Sequence, residues 1–439
     1  MYKLIDRYIE WVVALTIVFI TTLSMLKALA VTLDISIIKR LLNYSSLILM
    51  GALFLYQKKN YGIKVYDKFF WWFYLFYCLY IFLDITIFCR YPLEKMLGAP
   101  GSIFIYFYEL VMSLGFLLCV PTIYSKFSSK KYIFLSLLVC TIPSVLFVQY
   151  VGVDLIQSGI RKGEEEFIPT LTITYANVPL LVLAVINFKT LLKKRWTSVI
   201  VSTIIIVSVV YVLFAYGKRG PILWAIVNIL AYFFITSLSI KKYIFVISMI
   251  GLTFLAFLDP ILEGITDVLP TTGKRMEESI KEGNTDGRFD LEDSKHSTYL
   301  IGLENFSRSP IWGYYFRLVT NTPRFKGAYS HNIFIEVLMT MGLIGFIPFM
   351  ILLLKAYNKS RKIFTRPHTN NQMAFYVLFL CSFLQLQTTG TIVFKYDFWL
   401  FLYMLCCIDV LTRTKISMKE VKEINDSTFY RPSNNRNEY

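Results

Sequence analysis

Twelve apolar runs, each close to the length that crosses a hydrocarbon core, limit what this chain can fold into more than any other feature. They lie at about 10–32, 41–56, 69–89, 103–123, 132–150, 169–188, 196–216, 220–239, 243–262, 331–354, 373–393 and 396–412. About 20 consecutive apolar residues make a helix as long as a bilayer interior is thick. With 56% hydrophobic and only 17% charged residues, the chain is too apolar for a soluble domain. The expectation is an all-α, polytopic integral membrane protein with about 12 transmembrane helices. The first run is too long for a signal peptide, and no small-residue cleavage site follows it.

Lysine and arginine collect in the cytoplasmic loops of membrane proteins. With the N-terminus inside, the cytoplasmic segments are 1–9, 57–68, 124–131, 189–195, 240–242, 355–372 and the tail from 413. They carry twenty-six Lys and Arg, against nine in the short exterior loops. Both termini are therefore expected in the cytoplasm. The chain divides into an N-terminal bundle of about nine spans (1–262), a large exterior loop (263–330), C-terminal spans (331–412) and a cytoplasmic tail (413–439). The net charge of +16 is mostly this topology signal and calls for membrane lipids as neighbours, with no nucleic acid partner. All seven cysteines fall inside apolar runs without metal-ligand spacing, so they read as packing residues.

The long loop is not low-complexity. Its stretch "STYLIGLENFSRSPIWG" places Leu300, Leu303 and Phe306 at helical spacing and stops at Ser309-Pro310, the pattern of an amphipathic helix lying across the membrane surface. No internal or inverted repeat of the kind found in many secondary transporters is visible.

Chemistry concentrates at a few polar positions. In "GAYSHNIFIEVLMTMGLIG" (327–345), His331 and Asn332 sit where a polar turn becomes an apolar helix. On a continuous helix His331, Ile335, Leu338, Gly342 and Gly345 share one stripe, and Gly342 lies about 16 Å below the histidine. Glycines there admit a neighbouring helix at close range. Asn332 also suits a helix cap, and His331 alone is equally an interfacial residue. In "AYGKRGPILW" (215–224), Lys218 and Arg219 occupy the shortest exterior turn, against the charge rule. Two cations beside helix amides can hold a diphosphate, or can anchor lipid headgroups by snorkelling. Arg288 follows Gly287 in the long loop. The acids around it, Asp286, Asp290, Glu292 and Asp293, read more readily as a solvated face than as a metal site. His296 reads as a surface residue and His368 lies in a basic cytoplasmic loop. Asp84, Glu109 and Glu336 fall within spans and Asp397 near the start of the last, where acids need a cavity or a cation.

These residues together resemble the O-antigen ligase and polymerase superfamily of bacterial envelope polysaccharide synthesis. His331-Asn332, nine residues, Gly342, two residues and Gly345 follow that family's H-[N/S/Q]-x9-G-x-x-G pattern directly after a large exterior loop. Arg219 resembles the family's arginine between two earlier spans, and Arg288 with the later "SPIWGYY" resembles its loop arginine and P-x-x-G. Lys218 stands where the family often has serine. The resemblance covers chiefly residues 200 to 400. It implies a glycosyltransferase of the lipid-carrier-dependent, GT-C-like helical type that uses no metal or other cofactor. The donor is a glycan on undecaprenyl diphosphate and the acceptor a sugar hydroxyl at the outer face of the cytoplasmic membrane. His331 is then the general base or the residue that positions the acceptor. Arg219, Arg288, Lys218 and Asn332 bind diphosphate or substrate, and Gly342 and Gly345 pack the motif helix. The leading expectation is a polymerase of lipid-linked repeat units for O-antigen or capsule, with a chain-length regulator as a further partner. Its alternative is a ligase that moves finished polymer to lipid A core or another surface acceptor. A flippase or exporter of lipid-linked sugars would share the spans and buried charges, but has no need for this motif.

Overall fold

The computed structural model describes residues 2–32, 36–86, 102–153, 170–216, 218–236, 263, 264, 266, 267, 273, 277, 298–313, 332–364, 370–387 and 395–429. Their regular structure is helical, joined by turns, with no strand among them. In chain order the helices are α1 (Tyr2–Thr32), α2 (Ser36–Asn60), α3 (Lys68–Thr86), α4 (Ser102–Leu118), α5 (Val120–Lys126), α6 (Ser129–Ser136), α7 (Ile142–Val151) and α8 (Thr170–Ile186). They continue with α9 (Arg195–Ala215), α10 (Arg219–Thr236), α11 (Thr298–Arg308), α12 (Ile333–Phe364), α13 (Asn370–Gln385) and α14 (Tyr396–Phe429). The apolar run 243–262 lies outside the described residues, and the described parts of the others fall chiefly on helices. Among the described residues three stretches are long and apolar enough to cross a bilayer: Ser129–Val151, Arg195–Ala215 and Ile333–Arg361. Lys68–Leu83, Leu171–Ile186 and Gly220–Phe233 form shorter apolar helices.

Outward faces carry apolar stripes at helical spacing. On α9 these are Trp196, Ile200, Ile204, Val207 and Tyr211, and on the lower part of α12 Leu343, Ile347, Ile351, Leu354 and Tyr357. In water such faces would drive aggregation. In lipid they are the expected contact, with aromatic residues toward their ends.

Two helices are enclosed on all sides, as expected for helices apolar all round. The stretch Phe398 to Ile408 of α14 is buried at every position, surrounded by α1, α4, α5, α12 and α13. In α8, residues 173–184 are buried between α1, α9, α10 and α13. Because lipid is as apolar as a leucine side chain, packing and hydrogen bonds, rather than escape from water, hold such helices together. Trp399 of α14 packs its ring against Tyr77 and Tyr74 of α3 at 4.8 and 5.3 Å. Tyr403 accepts the indole N–H of Trp71 at 2.8 Å.

Between α6 and α7 a single π-helical turn, Leu137–Thr141, precedes Pro143, which has no N–H to continue the ladder. Its Thr141 hydroxyl donates to Asn177 Oδ1 of α8 at 2.9 Å, and Asn177 Nδ2 donates to Ser144 at 3.2 Å.

Hydrogen bonds and ion pairs mark the two ends of the bundle. At one end Lys355 pairs with Asp67, Lys359 with Asp409, and Asn371 Nδ2 donates to Phe127 O at 2.7 Å. Three of the basic connections that the charge rule assigns to the cytoplasm therefore converge there. The other end holds Asn332, the close of α13 and the start of α14.

Candidate functional site

Helix α12 begins with a side-chain cap. Asn332 Oδ1 accepts the backbone N–H groups of Phe334 and Ile335 at 3.0 and 3.2 Å, which fills two of the four donors that a helix start leaves unmet. Its Nδ2 donates to Gln387 Oε1 at 3.1 Å, tying the start of α12 to the end of α13. One turn later Glu336 is buried. His331, the residue before the cap, lies outside the described residues.

Ten residues further on the helix is interrupted. Gly342 has φ 60° and ψ −161°, a conformation essentially restricted to glycine. The turn that follows α11, Pro310 to Gly313, sits in the break. Pro310 O accepts the N–H of Leu343 at 2.9 Å and Ile311 O that of Ile344 at 3.2 Å, so the turn supplies acceptors that the interrupted ladder cannot. Both contact points are glycines. A Cβ on Gly342 would lie 2.3 Å from Ile311 O, and one on Gly313, itself at φ 75°, would lie 2.2 Å from Thr340 O. From α3, the Tyr80 hydroxyl lies 2.6 Å from Thr340 O and 2.7 Å from Trp312 O, bridging the helix to the turn.

This changes the role expected of the glycine motif. The stripe from His331 to Gly345 assumed an unbroken helix approached by another helix. The close approach is present, but a loop turn makes it, and the periodicity does not carry through Gly342. At Gly345 a Cβ would lie 2.3 Å from Met341 Cβ, so this position too has no room.

The loop helix α11 starts at Thr298 and ends at Arg308, just before Ser309-Pro310 as expected. Gly302 and Asn305 are buried where α11 packs on α12, whereas Leu303 is exposed. Glycine at the contact lets the two backbones approach.

The turn between α9 and α10 is anchored by Tyr216. Its side chain is fully buried among Met25, Cys140, Phe147 and Ile173, with its hydroxyl 3.4 Å from Ser144 O. Lys218 follows, half-buried, and Arg219 opens α10, although its side chain lies outside the described residues. Helix α13 is the common neighbour of α10 and α12.

Arg288, His296, His368 and the acids Asp286, Asp290, Glu292 and Asp293 lie outside the described residues, as do the side chains of Asp84 and Glu109. Asp397 accepts the Ser382 hydroxyl at 2.6 Å and lies 3.8 Å from Lys395 Nζ, which itself donates to Gln385 at 2.5 Å. Sequence reasoning missed Gln387 and Tyr80. The polar "QLQTTG" closing an apolar run was a signal for the first, and nothing local marked the second. Among the described residues no group of three or more His, Cys, Asp or Glu could hold a metal ion.

No curated protein matches the chain significantly. Residues 204–350 match a family model described as O-antigen ligase, a stretch that runs from within α9 to beyond the break in α12. It takes in Arg219, Arg288, His331, Asn332, the docked turn and both motif glycines. Over residues 204–350, about a third of its length, the chain is similar to the O-antigen ligase family.

Proposed function

We propose that the protein is a bacterial membrane polysaccharide polymerase of about twelve spans and GT-C-like type. It transfers a glycan from undecaprenyl diphosphate to a sugar hydroxyl of another lipid-linked repeat unit, on the outer face of the cytoplasmic membrane. The observation that carries this reading is the seating of the Pro310–Gly313 turn in the Gly342 break, which couples the long loop to the helix headed by His331 and Asn332. It gives the family's two glycine motifs one physical purpose.

In the proposed step the acceptor hydroxyl passes its proton to the His331 imidazole as its oxygen attacks the anomeric carbon. The bond from that carbon to the diphosphate breaks, and its electron pair leaves with undecaprenyl diphosphate. Direct displacement inverts the anomeric configuration. Charge gathers on the leaving group, so permanent cations suit it, and Arg219, Arg288 and Lys218 are assigned there. A histidine near neutral pH suits the proton. No metal enters the step.

The family description itself favours a second reading, a ligase that moves finished polymer to a surface acceptor. Donor chemistry is the same and only the acceptor differs. Supplying the purified protein with extracted undecaprenyl-diphosphate-linked repeat units separates the two. A polymerase lengthens the lipid-linked glycan without any other acceptor, whereas a ligase leaves its length unchanged until lipid A core is added. Glycan that is carried across a vesicle membrane but never joined to anything would overturn both in favour of a flippase.

A further inference from the structure

We infer that Gln387 is a specificity-determining residue, whose amide donates a hydrogen bond to an oxygen of the acceptor glycan. The inference rests on the glycosyl-transfer reading above and adds a contact to it. Its starting point is the orientation of two amides. Asn332 Oδ1 is committed to the N–H groups of Phe334 and Ile335, so its Nδ2 is the atom that faces Gln387, at 3.1 Å. Only an oxygen can accept there, which turns Gln387 Oε1 toward Asn332 and its Nε2 away. That Nε2 is sealed from solvent and has no hydrogen-bond partner among the described residues.

A buried donor without a partner is costly, and most folded chains avoid it. Here the surroundings hold it in place. The Gln387 backbone N–H is bound to Leu384 O at 3.1 Å, and the end of α13 is tied to the start of α14 through Gln385 and Lys395. The donor is thus one hydrogen bond from Asn332, whose chain neighbour is His331. A neutral amide does little for a diphosphate, which calls for cations. It suits the hydroxyl, ring and carbonyl oxygens of a sugar, and an unmet donor penalises a substrate lacking the matching oxygen.

The test compares full-length wild-type protein with Gln387→Glu and Gln387→Leu in lipid nanodiscs. Transfer rates are measured against the concentration of lipid-linked repeat units extracted from a strain lacking the enzyme. Gln387→Glu keeps an oxygen for Asn332 and replaces only the donor. It should leave the yield of folded protein unchanged and raise KM about tenfold, with kcat altered by less than about threefold. Gln387→Leu also loses the tie to Asn332 and should lower the yield as well. An unchanged KM for Gln387→Glu, whatever happens to kcat, overturns the inference and leaves glycosyl transfer standing. If wild-type protein consumes no lipid-linked glycan, the failure belongs to the glycosyl-transfer reading instead.

Discussion

At Gly342 a single hydrogen atom in place of a side chain decides whether the loop can dock. Replacing Gly342 by alanine forces an L-residue into a left-handed conformation, of order 1–3 kcal/mol, and drives its Cβ against the Ile311 carbonyl. The expected outcome is protein that inserts but no longer holds the Pro310–Gly313 turn. Protease added to solubilised protein should then cut within 263–330 much faster than in wild type, and equal rates would contradict the docking. His331→Ala tests the chemistry instead. It removes no packing assigned to the lower helix, so membrane levels should match wild type while polymer falls about 10²- to 10⁴-fold, the usual loss with a general base. Normal polymer from that variant, measured beside protein level in a strain lacking the enzyme, would return His331 to a helix-end role. These two residues also show what sequence pattern can reveal. The spacing of His331, Gly342 and Gly345 was legible because each is a rare residue in an apolar run. The backbone angle at Gly342 was not, since apolar residues on both sides let a helical period run straight through it.

Between elements, the joint formed by α3, α12 and the turn after α11 depends on one hydroxyl. Tyr80→Phe keeps the ring and removes the group that lies between Thr340 O and Trp312 O. The cost is about 1–2 kcal/mol, which raises the undocked fraction some 5- to 30-fold. Cleavage of the loop should speed up by that factor, with the thermal stability of the remaining bundle little changed; a wild-type cleavage rate would remove Tyr80 from the joint. No pattern in the sequence pointed to this contact, because its partners are backbone carbonyls 232 and 260 positions away. The end of α11 was legible from Ser309-Pro310, but the side that packs on α12 was not. Gly302 and Asn305 are buried while Leu303 is exposed, and hydrophobic spacing marks only the side that carries Leu303.

For the whole molecule, the apolar runs told most of the story, because in lipid a continuous apolar stretch has little alternative to a helix. Lys355, Lys359, Asp67 and Asp409 form two ion pairs at one end of the bundle, an arrangement that hydropathy alone does not reveal. Sequence could not show that α8 and α14 are the enclosed helices, since both are as apolar as their lipid-facing neighbours. A bulk property follows from the proposed cations. If arginines rather than a metal meet the diphosphate, transfer by purified protein should proceed unchanged in excess EDTA. Loss on chelation with recovery on adding a divalent ion would bring Asp286, Asp290, Glu292 and Asp293 back as ligands.

The seat for the turn also sets an order of events during synthesis. Tyr80 and Thr340 are 260 positions apart, and at 5–20 residues per second the ribosome needs roughly 13–52 s to make the interval. Throughout that time the Tyr80 hydroxyl of α3 is without the Thr340 carbonyl that it meets in the finished fold. The turn after α11 can therefore take its seat only after α12 has emerged, with α13 and α14 still to follow.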